Sequence, residues 1–588
     1  DFNVGIGGQA LGGNTVGSSS VAVGHAALLV QNPSTATDMY NVAVGHAAGL
    51  NVTTGDRNTI VGALAGDSLT TGQKNVAIGT GALSDDDVGS RSVAVGDSAL
   101  ASQNFTTATD SYNTAVGNNA GLSVTTGVEN TIVGGLAGDA MTTGLRNVAI
   151  GKSALSADTT GRLAVAIGKD ALASQNFSAN TENYNVAVGA LAGKSVTVGV
   201  QNCIVGGLAA DALTSGTHNT ALGTVALSAD TQGNFSVAVG YGALTLQNFT
   251  TATNSHNVAV GNEAGGDITT GVRNAIIGSL AGDALTDADD NVAVGQGALG
   301  SDTLGSTSTA LGKDALFTQN FTTATSTLNT AVGYRAGYLS QTGIKNVYIG
   351  GDAALSATTA NKNVVIGSQA ADSMTTGEEN VFVGESAAGG ATVTGNDNVA
   401  VGRAALLNLT SGSNNTCVGH DAGITGSPGG NINNDSNIIV LGDENVSSLN
   451  CQASLTTPSD QRDKTDFVDL DLGLDFVKAL EPVTYYWDKR AKYGDKYAED
   501  YDLNAQTPDG THKEDWMDVG FKAQSVQDLE EAAGYKIADK KNLTVALSGD
   551  GKQYSLRYEK FVPILVKAIQ DQDAIIQSLT ARITALES

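Results

Sequence analysis

One five-residue pattern returns along most of the chain: a polar residue, an apolar residue or threonine, a small residue, a second apolar residue, then glycine. Asn41-Val42-Ala43-Val44-Gly45, Asn58-Thr59-Ile60-Val61-Gly62 and Asn75-Val76-Ala77-Ile78-Gly79 are examples. Alternation around the third position is period two, which predicts a strand too short to fold alone but able to stack on its neighbours. The closing glycines fall at 24, 45, 62, 79 and 96, in steps of 21, 17, 17 and 17, and the series of steps then repeats. Four coils thus make a 72-residue super-repeat that holds to Gly350, and 25 units run from Gly7 to Gly442. Self-similarity at a fixed period predicts a solenoid. A small third residue fits a strand buried on both faces, one lining the coil and the other meeting neighbouring chains. The asparagine heading each strand predicts a stacked ladder. The closing glycine and Thr-Thr-Gly (Thr53-Thr54-Gly55, Thr125-Thr126-Gly127) predict turns where φ can be positive. At about 4.8 Å per coil, the stack would form a rod on the order of 120 Å long.

The pattern ends near residue 442. Residues 426–434 are rich in Gly, Pro and Asn, a loop before a last strand at 438–441, and 443–458 read as a neck that also caps the last open coil. Residues 459–558 read as a small α+β domain, with helices over 473–480 and 524–533 and an extended stretch at 483–487. The segment 559–588 is a heptad helix. Val562, Ile569, Ile576 and Ile583 fall at one seam position, and Leu565, Gln572, Leu579 and Leu586 at the other. Taken alone, β-branched residues facing Leu lean toward a dimer, and Gln572 in the seam would fix register.

Composition sharpens this picture. There are 74 glycines without the every-third-residue period of collagen, and only six prolines, of which Pro33 alone precedes Pro428. Continuous strand pairing fits better than disorder. A formal net charge of −28 makes nucleic acid and anionic membranes poor partners. Cys203, Cys417 and Cys451 are few, distant and odd in number, so no disulfide framework is expected, and the first two read as small apolar fillers. The six histidines, His25, His46, His218, His256, His420 and His512, show no metal-ligand spacing, and neither a metal nor a cofactor is expected. No apolar run is long enough to span a bilayer, and no signal peptide is visible. Because the chain begins at Asp1 without Met, a segment upstream is expected.

Three sets of residues carry candidate chemistry. Ser459 and Lys464 supply a hydroxyl nucleophile and an amine five residues apart, the parts of a Ser–Lys hydrolytic dyad. Lysine serves as base only if burial or nearby positive charge lowers its pKa. A spacing of five does not share a helical face, so the two must meet through a loop. Phe105, Phe177, Phe249 and Phe321, in Gln-Asn-Phe triplets that recur once per super-repeat, could stack glycans along the rod surface; the favoured reading is that each pins its own insertion against the coil. Asp67, Asp139, Asp211 and Asp283 recur at the same period as turn formers or as a Ca²⁺ ladder.

Ser459-Asp460, Arg462 and Lys464 are followed by Gly473-Leu474, Leu480-Glu481-Pro482-Val483 and the aromatics Tyr485, Tyr486 and Trp487. Gly520-Phe521-Lys522-Ala523-Gln524, Tyr554-Ser555-Leu556-Arg557-Tyr558 and Lys567-Ala568-Ile569-Gln570 then come in order. From Ser459 to its end the chain resembles the endosialidase-type intramolecular chaperones, self-cleaving C-terminal domains of phage tail fibres and tailspikes. The resemblance implies that Ser459 and Lys464 are the cleavage dyad, with the cut at Ser459 or Asp460. Asp463 departs from the family pattern, and an acid there favours a charged lysine. The repeat resembles the head β-rolls of trimeric autotransporter adhesins, whose coils are shorter. The two resemblances together imply a mainly β, homotrimeric parallel β-solenoid, then the chaperone and a trimeric coiled coil. They further imply a virion tail fibre that attaches to a host cell-surface receptor, a glycan, and joins other tail proteins through its N-terminus. The only bond it is expected to hydrolyse is its own. The rival readings are a bacterial surface adhesin and a tailspike depolymerase acting on host polysaccharide.

Overall fold

Three-residue strands, each paired in parallel with the next coil and in register, build the repeat. In a computed structural model, Val42, Ala43 and Val44 pair with Thr59, Ile60 and Val61, which pair in turn with Val76, Ala77 and Ile78. The structure describes residues 2–452, 456–498 and 500–588. It divides into two compact units, Asp1–Thr342 and Gly343–Ser588. The first holds the strands from Val4–Ile6 to Thr330–Val332; the second holds those from Val347–Ile349 to Ile439–Leu441 and everything C-terminal to them. Such strands number 25 among the described residues.

The third position of the pattern points into the coil. Ala43, Ile60 and Ala77 are fully buried, whereas Val42, Val44 and Ile78 on the opposite face are more than a third exposed. Most coils carry one further large apolar side chain, in one of two turn slots. Leu28, Leu83 and Leu100 fill the slot six positions after the strand centre; Val52, Leu69 and Val124 fill the slot nine after, and glycine (Gly49, Gly66, Gly121) then takes the first slot. The strand-closing glycines adopt φ near +135°, and a Cβ on Gly134 would lie 2.6 Å from the carbonyl of Gly151 in the next coil, so no other residue fits. The Thr-Thr-Gly turns differ from expectation. Gly55 and Gly127 do not have positive φ; they are glycine because a Cβ would strike the carbonyl oxygens of Gly72 and Gly144.

Asparagines head the strands as a buried ladder. The Asn58 N–H donates to Asn41 Oδ1 at 2.9 Å, and Asn58 Nδ2 donates to the Gly72 carbonyl at 2.9 Å; Asn75 repeats both bonds. Where the ladder meets Ser92, Ala164, Ser236 or Ser308, a buried Asp–Gln pair takes over. Gln103, Gln175, Gln247 and Gln319 donate through Nε2 to Asp86, Asp158, Asp230 and Asp302 at 2.6–2.7 Å. Each glutamine Oε1 accepts from the next asparagine, as from Asn185 at 2.8 Å. Burial pushes the Asp86 carboxyl up from its ordinary range.

In the second unit, α1 (Leu474–Ala479), α2 (Ala523–Ala532) and α3 (Phe561–Glu587) enclose a small core of Leu472, Phe476, Val526, Val545, Phe561 and Ile564. The α1 N-terminus lacks a cap of its own, and Asp571 on α3 accepts from the Leu474 N–H at 3.1 Å. An antiparallel pair, Val483–Tyr485 with Asp518–Gly520, carries a long loop between its strands. Residues 445–452 of the expected neck are exposed, while 453–455 of that neck lie outside the described residues. The covering contacts come from two segments of the C-terminal domain. The side chain of Ala491 lies against Gly426, Asp550 Oδ2 accepts from the Asn431 N–H at 3.1 Å, and Gln553 Nε2 donates to the Gly426 carbonyl at 3.3 Å.

Candidate functional site

Asp460 organises the junction. Its carboxylate accepts from the Arg462 N–H at 2.9 Å and caps a single 3₁₀ turn, Gln461–Asp463. The same carboxylate is gripped by the Arg462 guanidinium at 2.6 Å, which holds the Asp460 carboxyl below its usual range. Closing that turn carries Lys464 back over the start of the segment. Lys464 Nζ donates to Ser459 Oγ at 2.5 Å and reaches the Ser459 carbonyl at 3.4 Å. The structure thus brings the two dyad atoms together through a loop, as a five-residue spacing requires. In the single chain the stretch 459–466 is exposed throughout. A lysine serves as a base only where burial favours its neutral form, and nothing in the single chain buries this stretch.

The heptad residues also lie open. Val562, Ile569, Ile576, Leu579, Ile583 and Leu586 are about half exposed or more, and Leu565 is 45 % exposed, whereas Phe561, Ile564 and Ala568 on the other side of α3 are buried, the first two in the domain core. Gln572 is exposed as well. One long helix therefore presents a core-facing stripe over its first turns and an unpaired apolar seam along its length.

The surface ladder of phenylalanines is corrected by the structure. Phe105, Phe177, Phe249 and Phe321 are only 5–6 % exposed, so no ring is available for stacking. The N–H groups of Phe177 and Phe321 are held by Asp158 and Asp302, which pulls each insertion inward. Asp67, Asp139, Asp211 and Asp283 are partly buried, and burial raises each carboxyl above its ordinary pKa. None belongs to a group of three ligating side chains among the described residues. Cys417 is a buried filler whose thiol burial pushes up to about 12, but Cys203, also read as a filler, is exposed because it stands at an outward strand position.

A second constellation was not apparent from residue spacing. His420 and Asp421 follow the closing glycine of one coil, and Asp443 and Glu444 follow that of the next; parallel pairing of Thr416–Val418 with Ile439–Leu441 puts them side by side. The loop between Tyr485 and Asp518 reaches this cluster. Lys496 Nζ lies 2.6 Å from Asp421 and 2.8 Å from Glu444, the Tyr497 hydroxyl donates to Asp421 at 2.6 Å, and Lys489 Nζ donates to the Glu444 carbonyl at 2.6 Å. Burial opposes the charge on Lys496, but its hydrogen bonds to Asp421 and Glu444 outweigh that and raise its pKa. Fully buried Asp421 thus ties the end of the solenoid to the C-terminal domain by an ion pair whose removal on one side alone would cost about 3–5 kcal/mol. The only sequence signal was the pair of acids after the last two strand-closing glycines. It gains meaning only through coil register and a contact with a loop far along the chain.

No helix among the described residues is long and apolar enough to cross a membrane. No curated protein and no solved structure is detectably similar to the chain. Residues 459–535, which begin at Ser459 and contain the loop that grips the last coil, match the family model of the chaperone of endosialidase, so an intramolecular chaperone of that type follows the β-solenoid.

Proposed function

We propose that this chain is a tail-fibre protein of a virus particle: three copies form a β-solenoid fibre for host attachment, and the chaperone domain assembles them before cutting itself off next to Ser459. The observation that carries the reading is the 2.5 Å approach of Lys464 Nζ to Ser459 Oγ at the first residue of the chaperone match. Ser459 Oγ attacks the carbonyl carbon of the adjacent peptide bond as Lys464 takes its proton; the C–N bond then breaks, and Lys464 passes that proton to the leaving nitrogen. The resulting ester is hydrolysed by water, which regenerates the hydroxyl and releases the chaperone. Lysine acts as this base only when neutral, so cleavage belongs to the assembled state, where neighbouring chains can bury a stretch that is open in one chain.

Threefold assembly is supported by two apolar surfaces of the single chain. The outward strand positions, among them Val42, Val44, Ile277 and Leu311, form a stripe from coil to coil within the first unit, and the α3 seam forms another. Host attachment by the fibre, through a glycan receptor, follows from the resemblance to tail fibres and from a repeat without an inserted catalytic domain. Other tail proteins would hold its N-terminal end.

Intact-mass measurement of wild type beside Ser459→Ala and Lys464→Ala tests the central step. Wild type should split next to Ser459, both variants should stay whole, and all three should form trimers. A trimeric wild type that remains whole would remove the protease from the proposal.

A further inference from the structure

In the first unit, one column of turn residues carries charge in an arrangement that the rest of that column avoids. The residue before each strand-heading asparagine stacks from coil to coil. The Arg57 N–H donates to the Met39 carbonyl at 2.7 Å, that of Lys74 to Asp56 at 2.9 Å and that of Arg91 to Gln73 at 3.0 Å. These three, with Tyr40 before them and Tyr112 after, share φ between +50° and +62°, so all five side chains leave the same turn. All five are exposed. Farther along the column, neighbouring coils place opposite charges together: Arg146 Nε donates to Glu129 at 2.7 Å, and Arg273 Nε to Asp290 at 2.6 Å. Arg57, Lys74 and Arg91 instead follow one another with no acid between them in the column, at about 4.8 Å, one strand spacing. Like charges directly opposite on neighbouring strands are destabilising. The flanks compensate only in part. Asp56 lies 3.0 Å from Arg57 Nη1 and Asp110 lies 2.9 Å from Arg91 Nε, while Lys74 has no ion-pair partner among the described residues.

We propose that Arg57, Lys74 and Arg91 form a binding strip for an acidic glycan, a linear chain of sugars that carry carboxylates. Its use in attachment rests on the glycan-receptor reading above, which it narrows to one place on the fibre and one class of sugar. A pyranose ring advances a glycan chain by nearly one strand spacing, so successive sugars meet successive coils. Lys74 takes a carboxylate as a point charge, and the guanidinium edges that Asp56 and Asp110 leave free donate to carboxylates in pairs. Asp56 and Asp110 in turn accept from hydroxyls. The mixed sign of the strip thus suits a sugar acid, which sets hydroxyl donors beside each carboxylate. Duplex nucleic acid and anionic membranes are broader than one column, and on a chain of net charge −28 they meet the surrounding acids. Tyr40 and Tyr112, each 53 % exposed, bound the strip, and the Arg91 guanidinium lies 5.5 Å from the centre of the Tyr112 ring. Burying unpaired Lys74 between chains is costly, so this turn faces water in a trimer built on the apolar strand face.

The test is calorimetric titration of the trimeric full-length chain with hexagalacturonate and hexamannuronate, with maltohexaose as the neutral control. At least one acidic hexamer should bind, maltohexaose should not, and raising the salt about tenfold should weaken binding several-fold. Lys74→Gln should weaken it about tenfold or more and Lys74→Glu should abolish it, with trimers intact by light scattering. Arg146→Gln, in the same column but paired with Glu129, should leave binding unchanged. Absence of binding by both acidic hexamers, equal binding by Lys74→Glu, or binding of phosphatidylglycerol vesicles in place of the oligosaccharides overturns the strip. Adsorption of the fibre to host cells is measured separately. A fibre that adsorbs but ignores the acidic hexamers sinks the strip and leaves the attachment reading, and one that binds them without adsorbing does the reverse.

Discussion

Gln175→Leu isolates the device that recurs once in every four coils. Gln175 is fully buried, donates to Asp158 Oδ2 at 2.7 Å and accepts from Asn185 Nδ2 at 2.8 Å. Leucine nearly preserves the volume and removes both bonds. Asp158 keeps the Gly161 N–H at 3.0 Å and the weaker Phe177 contact at 3.4 Å, both on Oδ1, so Oδ2 is left bare. Asn185 keeps the Gly199 carbonyl at 2.8 Å. A charge-assisted bond lost from a buried carboxylate costs about 1.5–3 kcal/mol, and the neutral bond about 1 kcal/mol. The expected total is about 3 kcal/mol, confined to the coils that share the pair because a solenoid couples neighbours only. Hydrogen exchange reads this directly: protection of the Gly161 and Phe177 amides should fall on the order of 100-fold. The equivalent amides beside Asp230 and Gln247 should not move, which gives a control in the same molecule. Asp158→Asn combined with Gln175→Glu should recover most of the loss, since it reverses the bond between the two side chains and still leaves acceptors for the Gly161 N–H and for Asn185 Nδ2. Unchanged protection, or a double variant as weak as the sum of the singles, would refute the claim that this pair is a matched polar unit.

Three further outcomes are expected. Tyr348 fills the inward slot held by Ile60, Ile132, Ile204 and Ile276 in earlier super-repeats, and its fully buried hydroxyl has no partner; Tyr348→Phe should stabilise the local coils by about 1–2 kcal/mol in hydrogen exchange, and a loss would contradict the assignment. Lys464→Arg should abolish self-cleavage in a time course by intact mass, because a guanidinium stays protonated and cannot take the Ser459 proton. Burial raises the carboxyls of Asp67, Asp139, Asp211 and Asp283, so their contribution is fully present below the unfolded value of about 3.9 and is lost as pH rises through the folded values. Exchange protection in those coils, corrected for intrinsic rates, should therefore increase from pH 7 toward pH 4, and replacing the four residues by Asn should abolish the increase.

The features visible in the sequence are those in which local order and spatial order coincide. Asn41, Asn58 and Asn75 stack because their spacing equals one coil, so counting along the chain is counting along the ladder. The heptads of α3 and the helices near Leu474 and Ala523 were apparent for the same reason. The phenylalanine triplets show the limit. Their period is plain, but whether Phe105 points in or out depends on Asp86 in the preceding coil, whose carboxylate takes the Phe105 N–H. The grip of Lys496 on Asp421 has no period at all, since it joins a unique loop to a unique coil end. The open state of Ser459 and Lys464 follows from packing that no spacing reports.

Register explains why the interlock and the helix belong to one device. The outward strand positions are Val, Thr, Ile or Leu in nearly every coil, so two chains that slip by a single short coil still present like surfaces to each other. A slip of one whole super-repeat loses almost nothing, because outward residues such as Val44, Val116, Val188 and Val260 recur at that period. Nothing inside the first four super-repeats can therefore align three chains, and slow parallel pairing leaves edges exposed while it searches. A unique marker is required at one end. The Asp421–Lys496 tie fixes where each solenoid stops, and in the proposed assembly the open α3 seam would fix where three such ends meet. Ile569→Asn with Ile576→Asn removes the second element and leaves the chaperone core intact, since both side chains face away from Phe561 and Ile564. The variant should lose soluble trimer several-fold and give fibres of uneven length by electron microscopy. Trimers of wild-type yield and uniform length would show that the repeat aligns itself, and the chaperone would then need another purpose.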